Sequence, residues 1–212
     1  MKTKTVIFCR VASMEYYRGN TEKDRPVNGG SHVDLTGEAH ECYNFKPEYI
    51  DGEDVCLGFV MIARTSSTGN MTLHLEKMNG CELAKNLESI DGVTVVWCAK
   101  GEGSKNTRVV GFYKNATAYR YPQFQDFEND YCQQYNFKAK KEDCVLLPIN
   151  ERYTKSEWYV PMSGKNGYEF GFGRSNVWFA NGENGSLKER DYVERVLEAI
   201  ENYSGRNLME EE

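Results

Sequence analysis

The stretch "VTVVWCAK", followed by a polar segment and then "RVVGFYKNATAYR", constrains the fold most strongly. β-Branched and aromatic residues fill both arms, and the glycine-containing "GEGSKNT" between them is typical of a hairpin tip. We therefore expect strands at 92–100 and 108–116, with the sheet continuing beyond a kink at Lys114–Asn115. Gly111 interrupts the second arm, which indicates a bulge or the close approach of another group. That group is either a ligand in a pocket or the protein's own bent core.

Other apolar runs predict the rest of a sheet. We expect strands at 5–11, 55–64 and 71–78, a strand or sheet edge in "DCVLLP", and a short strand at 177–180. The polar and aromatic residues 123–144 are expected to include a short helix. The 19 glycines and an aromatic content of 13% also favour a β-rich chain.

One helix is expected near the end of the sequence. Ser186 with Glu189 three residues later matches a capping box, and Gly205 supplies a stop. Apolar residues recur between them at helical spacing, which predicts an amphipathic helix over about 186–204. Helices together with a dominant sheet indicate the α+β class, and a length of 212 residues fits a single domain over 1–212.

The overall charge argues against broad, non-specific binding to nucleic acid. The formal net charge is -6 and the pI is near 5.3, whereas non-specific binding depends on Lys and Arg facing phosphates. Many of the acidic residues lie at the end of the sequence and in the helix before it, so a local basic groove stays compatible with the sequence.

The cysteines and the apolar runs bear on localisation. The 7 cysteines are an odd number without C-x-x-C pairs, which favours reduced thiols in a cytoplasm. The first apolar run is too short for a signal peptide, and no run approaches the roughly 18 apolar residues of a membrane span. We therefore expect a cytoplasmic location and no membrane partner.

The sequence contains few of the motifs that mark catalytic sites. "HEC" at 40–42 is a tight His/Cys pair, but the sequence lacks the deaminase zinc pattern, the nucleophile elbow and the phosphate-binding loop. We therefore expect no catalytic centre, no cofactor and no metal. A metal-dependent nucleic-acid-processing enzyme remains an alternative, with Glu38, Glu41 and Asp54 assembled around the ion.

Aromatic residues interleaved with amides are in excess. Under the predicted strand assignment, many of them fall at strand ends or in adjoining loops. An aromatic face contributes roughly 1–3 kcal/mol per stacked base, and Asn amides can read the edge of an extruded base. The polar loop at 19–40 is expected to be a binding loop or a lid. For Trp97, a core position is an open alternative to a ligand contact.

Several motifs carry a resemblance to known domains. The hairpin and the opening strand leading to "MEYYRG" resemble the PUA-like superfamily, with its EVE, YTH and SRA branches. "YYRG", "NGG", "YNF", "VVGFYKNATAYR" and "GRSNVW" are similar to sensor domains beside nucleases in prokaryotic modification-dependent restriction systems. The resemblance implies a twisted, partly closed β-barrel with flanking helices, which flips a modified base into an aromatic cage while a separate nuclease module or subunit cuts.

This interpretation assigns a role to each candidate residue. The predicted base-binding residues are Tyr17, Asn44, Phe45, Trp97, Tyr113, Asn176 and Trp178. The predicted phosphate contacts are Arg10, Arg120 and Arg174. The expected partner is modified DNA, with restriction and phage defence as the setting. A protein-interaction domain, with an aromatic patch and the acidic helix as docking faces, is the other alternative.

Overall fold

A computed structural model describes residues 4–28, 40–62, 71–101, 103–127, 131–180 and 185–210. The strands are β1 (Val6–Val11), β2 (Pro47–Ile50), β3 (Glu53–Gly58), β4 (Ser89–Lys100), β5 (Thr107–Asp126), β6 (Cys132–Lys140), β7 (Cys144–Leu146), β8 (Tyr159–Val160) and β9 (Val177–Trp178). The α-helices are α1 (Ile149–Thr154) and α2 (Leu187–Glu201). Short 3-10 helices span His40–Tyr43, Leu75–Lys77, Glu82–Asn86, Lys141–Asp143, Ser156–Trp158 and Leu208–Glu210.

The strands form one mixed sheet of nine strands. Their order is β2-β3-β6-β5-β4-β1-β9, and β7 and β8 also pair with β5. Only β1 with β4 is parallel among the described pairs, and the others are antiparallel. Strand pairing within the described residues does not close the sheet into a ring. The chain is therefore a β-rich α+β protein with a C-terminal helix.

The predicted central hairpin is confirmed as β4 and β5, and both strands are longer than expected. β5 pairs with β4 on one side, and on the other side it pairs in turn with β8, β7 and β6. Irregular pairing between Trp97 and Cys98, and again between Ala118 and Gln123, interrupts these ladders. Such bulges bend a strand and increase its twist, so β5 turns from one part of the sheet into the next.

Each face of the sheet carries its own hydrophobic core. Alternation along β1 directs Ile7 and Cys9 to one core and Val6 and Phe8 to the other. The first core lies under the 3-10 helices and the segments around Tyr17. The second core is covered by α2 and by the residues between β8 and β9. This two-sided burial explains why β1 is a nearly continuous apolar run.

The predicted C-terminal helix is confirmed as α2. Ser186 is its N-cap, and the Ser186 side chain accepts a hydrogen bond from the Glu189 backbone N–H at 3.2 Å. Tyr192, Val193, Val196 and Ile200 are its buried residues. In the part of the chain that the structure describes, no helix is long and apolar enough to cross a membrane.

Two expected elements are corrected. Residues 71–78 do not form a strand, because Leu75–Lys77 is a 3-10 turn that buries Leu75 in the first core. The described part of residues 123–144 is mainly strand, because β5 continues to Asp126 and pairs with β6, and the short helix there is confined to the 3-10 turn Lys141–Asp143. The alternation of polar and apolar residues in "CQQYNFKAK" is a strand pattern that this expectation missed.

Candidate nucleic-acid interface

The predicted aromatic residues of the cage meet in the interior. Tyr17, Phe45, Trp97 and Tyr113 all have 0% exposure. The Phe45 ring centroid lies 5.8 Å from Tyr17 and 5.4 Å from Tyr113, and Tyr113 lies 5.3 Å from Trp97. Such tilted and edge-to-face contacts are the usual packing of core aromatics. In this conformation these rings offer no surface on which a base could stack.

Gly111 is explained by this packing. A Cβ at Gly111 would lie 2.5 Å from the Phe45 ring and 2.5 Å from the Val145 carbonyl oxygen of β7. Gly58 makes similar room, because a Cβ there would lie 2.5 Å from the Trp97 ring. The sequence left open whether a ligand or the protein's own core approaches Gly111. In the structure, the core approaches it.

Asn44, a predicted base reader, binds the protein's own backbone. Its Nδ2 donates to the Phe59 carbonyl at 3.0 Å, and its Oδ1 accepts from the Phe59 N–H at 2.8 Å. The Tyr113 hydroxyl donates to the Asn44 carbonyl. Asn44 has 0% exposure, so its amide satisfies a buried peptide group that has left the β3 ladder.

Two further asparagines continue this arrangement. The Val60 N–H donates to the Asn136 Oδ1 at 3.0 Å, and the Asn176 Nδ2 donates to the Met61 carbonyl at 3.1 Å. Asn44, Asn136 and Asn176 therefore hold consecutive residues 59–61, and we call them the asparagine clamp. Asn136 lies on β6 and Asn176 directly precedes β9. The clamp therefore ties two distant strands of the open sheet through residues 59–61.

Arg10, Arg174 and Asn176 come together at the β1–β9 edge. The Arg10 guanidinium donates to the Asn176 Oδ1 at 3.2 and 3.3 Å and to the carbonyls of Arg174 and Ser175 at 3.4 and 3.3 Å. It also lies 5.4 Å from the Phe172 ring centroid. Partial burial lowers the pKa of Arg10, but an arginine stays charged at neutral pH. The side chain of Arg174 is exposed.

Trp178 lies beside this group and is half-buried. Its ring packs 4.5 Å from Phe8 and its Nε1 donates to the Glu189 carboxylate of α2 at 3.1 Å. The Trp178 ring therefore packs mainly in the second core.

Arg120, the third predicted phosphate contact, lies elsewhere and is buried. It donates to the Leu87 and Ala84 carbonyls at 2.7 and 2.5 Å, and it forms an ion pair with Glu76 at 2.9 Å. The guanidinium of Arg120 therefore holds the 3-10 helices Leu75–Lys77 and Glu82–Asn86 against β5.

The alternative metal site is not assembled in the described residues. Glu38 lies outside them, and within them no group of three His, Cys, Asp or Glu side chains is placed to hold a metal ion. Asp54 is exposed on β3. Glu41 is buried and accepts a hydrogen bond from the Ala12 N–H at 2.6 Å. Burial raises the pKa of the Glu41 carboxyl to about 7, although the Ala12 bond opposes the shift.

The turn after β1 is held on both sides by groups that the sequence analysis missed. Asp24, in the described part of the predicted 19–40 loop, accepts from the backbone N–H groups of residues 15–17 at 2.7 to 3.2 Å. Buried Arg152 donates to the Met14 and Glu15 carbonyls at 2.6 and 2.7 Å. Tyr17 sits there at a φ of 53°. The rest of the loop, 29–39, lies outside the described residues.

A half-exposed aromatic cluster was also missed. It consists of His40, Tyr43, Phe127 and Tyr131, with the Lys46 ammonium beside two of the rings. The expected helix at 123–144 concealed it, because the antiparallel pairing of β5 with β6 is what brings Phe127 opposite Tyr131. The strand pattern in "CQQYNFKAK" is the signal that could have found it.

The two half-exposed groups are joined by residues 59–61. The His40 ring lies 5.3 Å from Phe59, and Asn176 binds the Met61 carbonyl. We call Arg10, Arg174, Asn176 and the aromatic cluster together the rim; of the residues that link its two parts, Met61 is exposed and Phe59 and Val60 are buried. It combines guanidinium, carboxamide and aromatic groups. Comparison of the chain with family models, curated proteins and solved structures gave no match.

Proposed function

We propose that this chain is a DNA-binding sensor that recognises a modified base at the rim, and that its bent sheet is a partly closed barrel of the PUA-like kind. The observation that carries the proposal is the Arg10–Asn176 contact. It brings Arg10, a predicted phosphate contact, to the distant segment that holds the predicted phosphate contact Arg174 and the predicted base reader Asn176, at one edge of the sheet. Arginine and asparagine side chains are common donors to phosphates and base edges.

The arrangement supports separate roles for the two arginines. Arg10 fixes the loop at 174–176, since its guanidinium donates to the Asn176 side chain and to two carbonyls of that loop. Arg174 projects from the same loop and is exposed. A positioned loop with an exposed guanidinium suits contact with a phosphate. We therefore assign the phosphate contact to Arg174 and the positioning of its loop to Arg10.

Charge elsewhere limits how strongly this surface can bind. A groove between α2 and residues 166–170 has a volume of about 720 Å³, and carboxylates outnumber cations in its lining: Glu169, Asp191, Glu194 and Glu198 against Lys188 and Arg195. With a net charge of -6, the protein would repel DNA away from the rim. Binding would therefore rest on few contacts and discriminate by the base.

The proposed setting is a cytoplasmic restriction or phage-defence system in which a nuclease module or subunit acts on the DNA that this chain recognises. All seven cysteines are free thiols, which supports a reducing compartment. The proposed catalytic step belongs to the partner, so the chain itself needs only to bind.

Fluorescence anisotropy with labelled duplexes tests the proposal. The duplexes carry unmodified, methylated or hydroxymethylated cytosine, or methylated adenine, in one sequence context. We expect one modification to bind about tenfold tighter than the unmodified duplex. Arg174→Ala should weaken binding to every duplex and lower the salt slope by about 1.

Lys85→Ala is the matched control, because Lys85 is exposed on a 3-10 helix away from the rim and carries the same charge. It should leave the affinity unchanged. Equal affinity for all duplexes, together with equal effects of the Arg174 and Lys85 substitutions, would refute the proposed function.

A protein-interaction role is the second candidate, because large aromatic side chains are exposed near the open edge strand β2. Tyr49 on β2 is 75% exposed and Phe124 on β5 is 65% exposed. An unpaired edge strand can accept a strand from another chain. Light scattering of the purified protein with and without DNA separates the candidates, since this role needs no nucleic acid.

A further inference from the structure

Two aromatic rings lie in nearly the same orientation where β5 ends and β6 begins. The Phe127 backbone N–H donates to the Tyr131 carbonyl at 2.9 Å, next to the Asp126–Cys132 strand pair. Their ring planes differ by 10° and their centroids lie 6.4 Å apart. Both side chains are half-buried, so part of each ring is accessible. Backbone pairing across the hairpin thus sets the orientation of both rings.

Neighbouring groups restrain the Tyr131 ring. The Tyr43 ring centroid lies 4.7 Å from it. The Tyr131 hydroxyl is 3.3 Å from the His40 Nδ1, and the Gln134 backbone N–H also donates to that nitrogen at 3.2 Å. A restrained ring loses little conformational entropy when a ligand binds, which favours its use as a stacking surface.

The charge beside the rings indicates the kind of ligand. The Lys46 Nζ lies 5.8 Å from the Phe127 centroid and 5.9 Å from the Tyr43 centroid, and it is 2.6 Å from the Glu48 carboxylate. An ammonium already occupies the position that a cationic ligand would take over these rings. The ligand that fits is therefore a flat ring attached to an anion that can reach Lys46.

Space for such a ligand exists on one side of the pair. An open groove of about 600 Å³ is lined in part by Lys46, Tyr49, Ile50 and Phe127, a volume within the usual range for small-molecule sites. The carboxylates Glu48, Asp51 and Asp126 also line it. They would oppose a ligand with several phosphates, so a single phosphate group next to Lys46 is the best match.

We propose that the Phe127–Tyr131 ring pair with Lys46 is a stacking site for one nucleobase that carries an adjacent phosphate. The inference rests on the proposed function, because it locates the base-stacking surface that the buried rings do not supply. It uses residues different from Arg174, so each can be tested alone.

Quenching of 2-aminopurine tests the stacking site in the full chain. The probes are 2-aminopurine nucleoside monophosphate and a short single-stranded DNA containing that base. We expect binding to quench the fluorescence of both. Phe127→Leu should abolish the quenching and weaken strand binding about tenfold, the size expected for one stacked base. Lys46→Met should weaken binding of the monophosphate, whereas binding of 2-aminopurine nucleoside, titrated as the phosphate-free control, should stay unchanged.

Phe124→Leu is the matched control, because Phe124 lies on β5 three residues before Phe127 and is more exposed. It should leave quenching and affinity unchanged, and circular dichroism checks that each variant is folded. Absence of quenching with both probes, or equal quenching in the wild type and Phe127→Leu, would overturn the stacking site. Quenching that depends on Phe127 without discrimination between modified duplexes would keep the site and reject the sensor function.

Discussion

Replacing Glu41 with Gln should change how the stability of the protein depends on pH. Burial raises the pKa of the Glu41 carboxyl from 4.5 to about 7 in the folded chain. The folded protein therefore holds this proton more tightly than the unfolded chain, and the free energy of unfolding falls as the pH rises from 4.5 through 7. Each pKa unit corresponds to about 1.4 kcal/mol, so the loss amounts to about 3 kcal/mol.

Glu41→Gln removes this loss. The Gln oxygen can still accept the hydrogen bond from the Ala12 N–H, but an amide does not ionise. Relative to the wild type, the variant should gain about 3 kcal/mol between the acidic and the alkaline end of this window. Any fixed cost of placing the amide in the site is the same at every pH and does not affect this difference.

The assay is urea unfolding followed by tryptophan fluorescence at pH values that span 4.5 and 7. Trp97 and Trp158 are buried and will report global unfolding. Glu53→Gln is the control, because the Glu53 carboxylate is exposed and its hydrogen bond to Lys140 lowers its pKa. Relative to the wild type, Glu53→Gln should show no increase in the free energy of unfolding as the pH rises. A difference between Glu41→Gln and wild type that stays constant across the window would refute the burial of this carboxyl.

Three further substitutions test the core, the clamp and the thiols. Gly111→Ala should destabilise the protein by about 2 kcal/mol or more in thermal unfolding, because the new Cβ meets β7 backbone that cannot move freely; Gly173→Ala, with nothing within 4 Å, should be neutral. Asn44→Ala should cost about 2–4 kcal/mol in urea unfolding, since it leaves a buried N–H and C=O unpaired, whereas exposed Asn86→Ala should cost little. In thiol titration of the native protein with a disulfide reagent, exposed Cys132 should react fastest, and Cys132→Ser should remove that phase. An unchanged fast phase would contradict the placement of this thiol.

Local patterns predicted the elements that depend on local physics. The hairpin arms, the first strand and the Ser186 cap follow from strand propensity and from capping, which act over a few residues. Residues 71–78 were expected to form a strand, because the alternation of Leu73 and Leu75 suits a strand as well as a buried turn. What decides between them is whether the segment joins a sheet ladder, and strand pairing is a long-range property.

The site was harder to predict for the same reason. Aromatic residues and amides serve equally well in a core and in a binding surface, and the sequence does not state which faces water. Trp97 and Tyr113 are buried because Gly58, on another strand, leaves room for both rings, and Gly111 leaves room for the neighbouring Phe45 ring. The Phe127–Tyr131 pair depends on the pairing of β5 with β6, and this part of the chain was expected to include a helix.

The asparagine clamp has a consequence for how related sequences could diverge. A backbone ladder survives most substitutions, since any residue except proline supplies the same donor and acceptor. Here the link from β6 to the β9 edge passes through side-chain amides that bind residues 59–61. Homologues that share this architecture should therefore keep Asn or Gln at positions 44, 136 and 176, while the apolar residues around them vary. These three positions provide a pattern for recognising distant members.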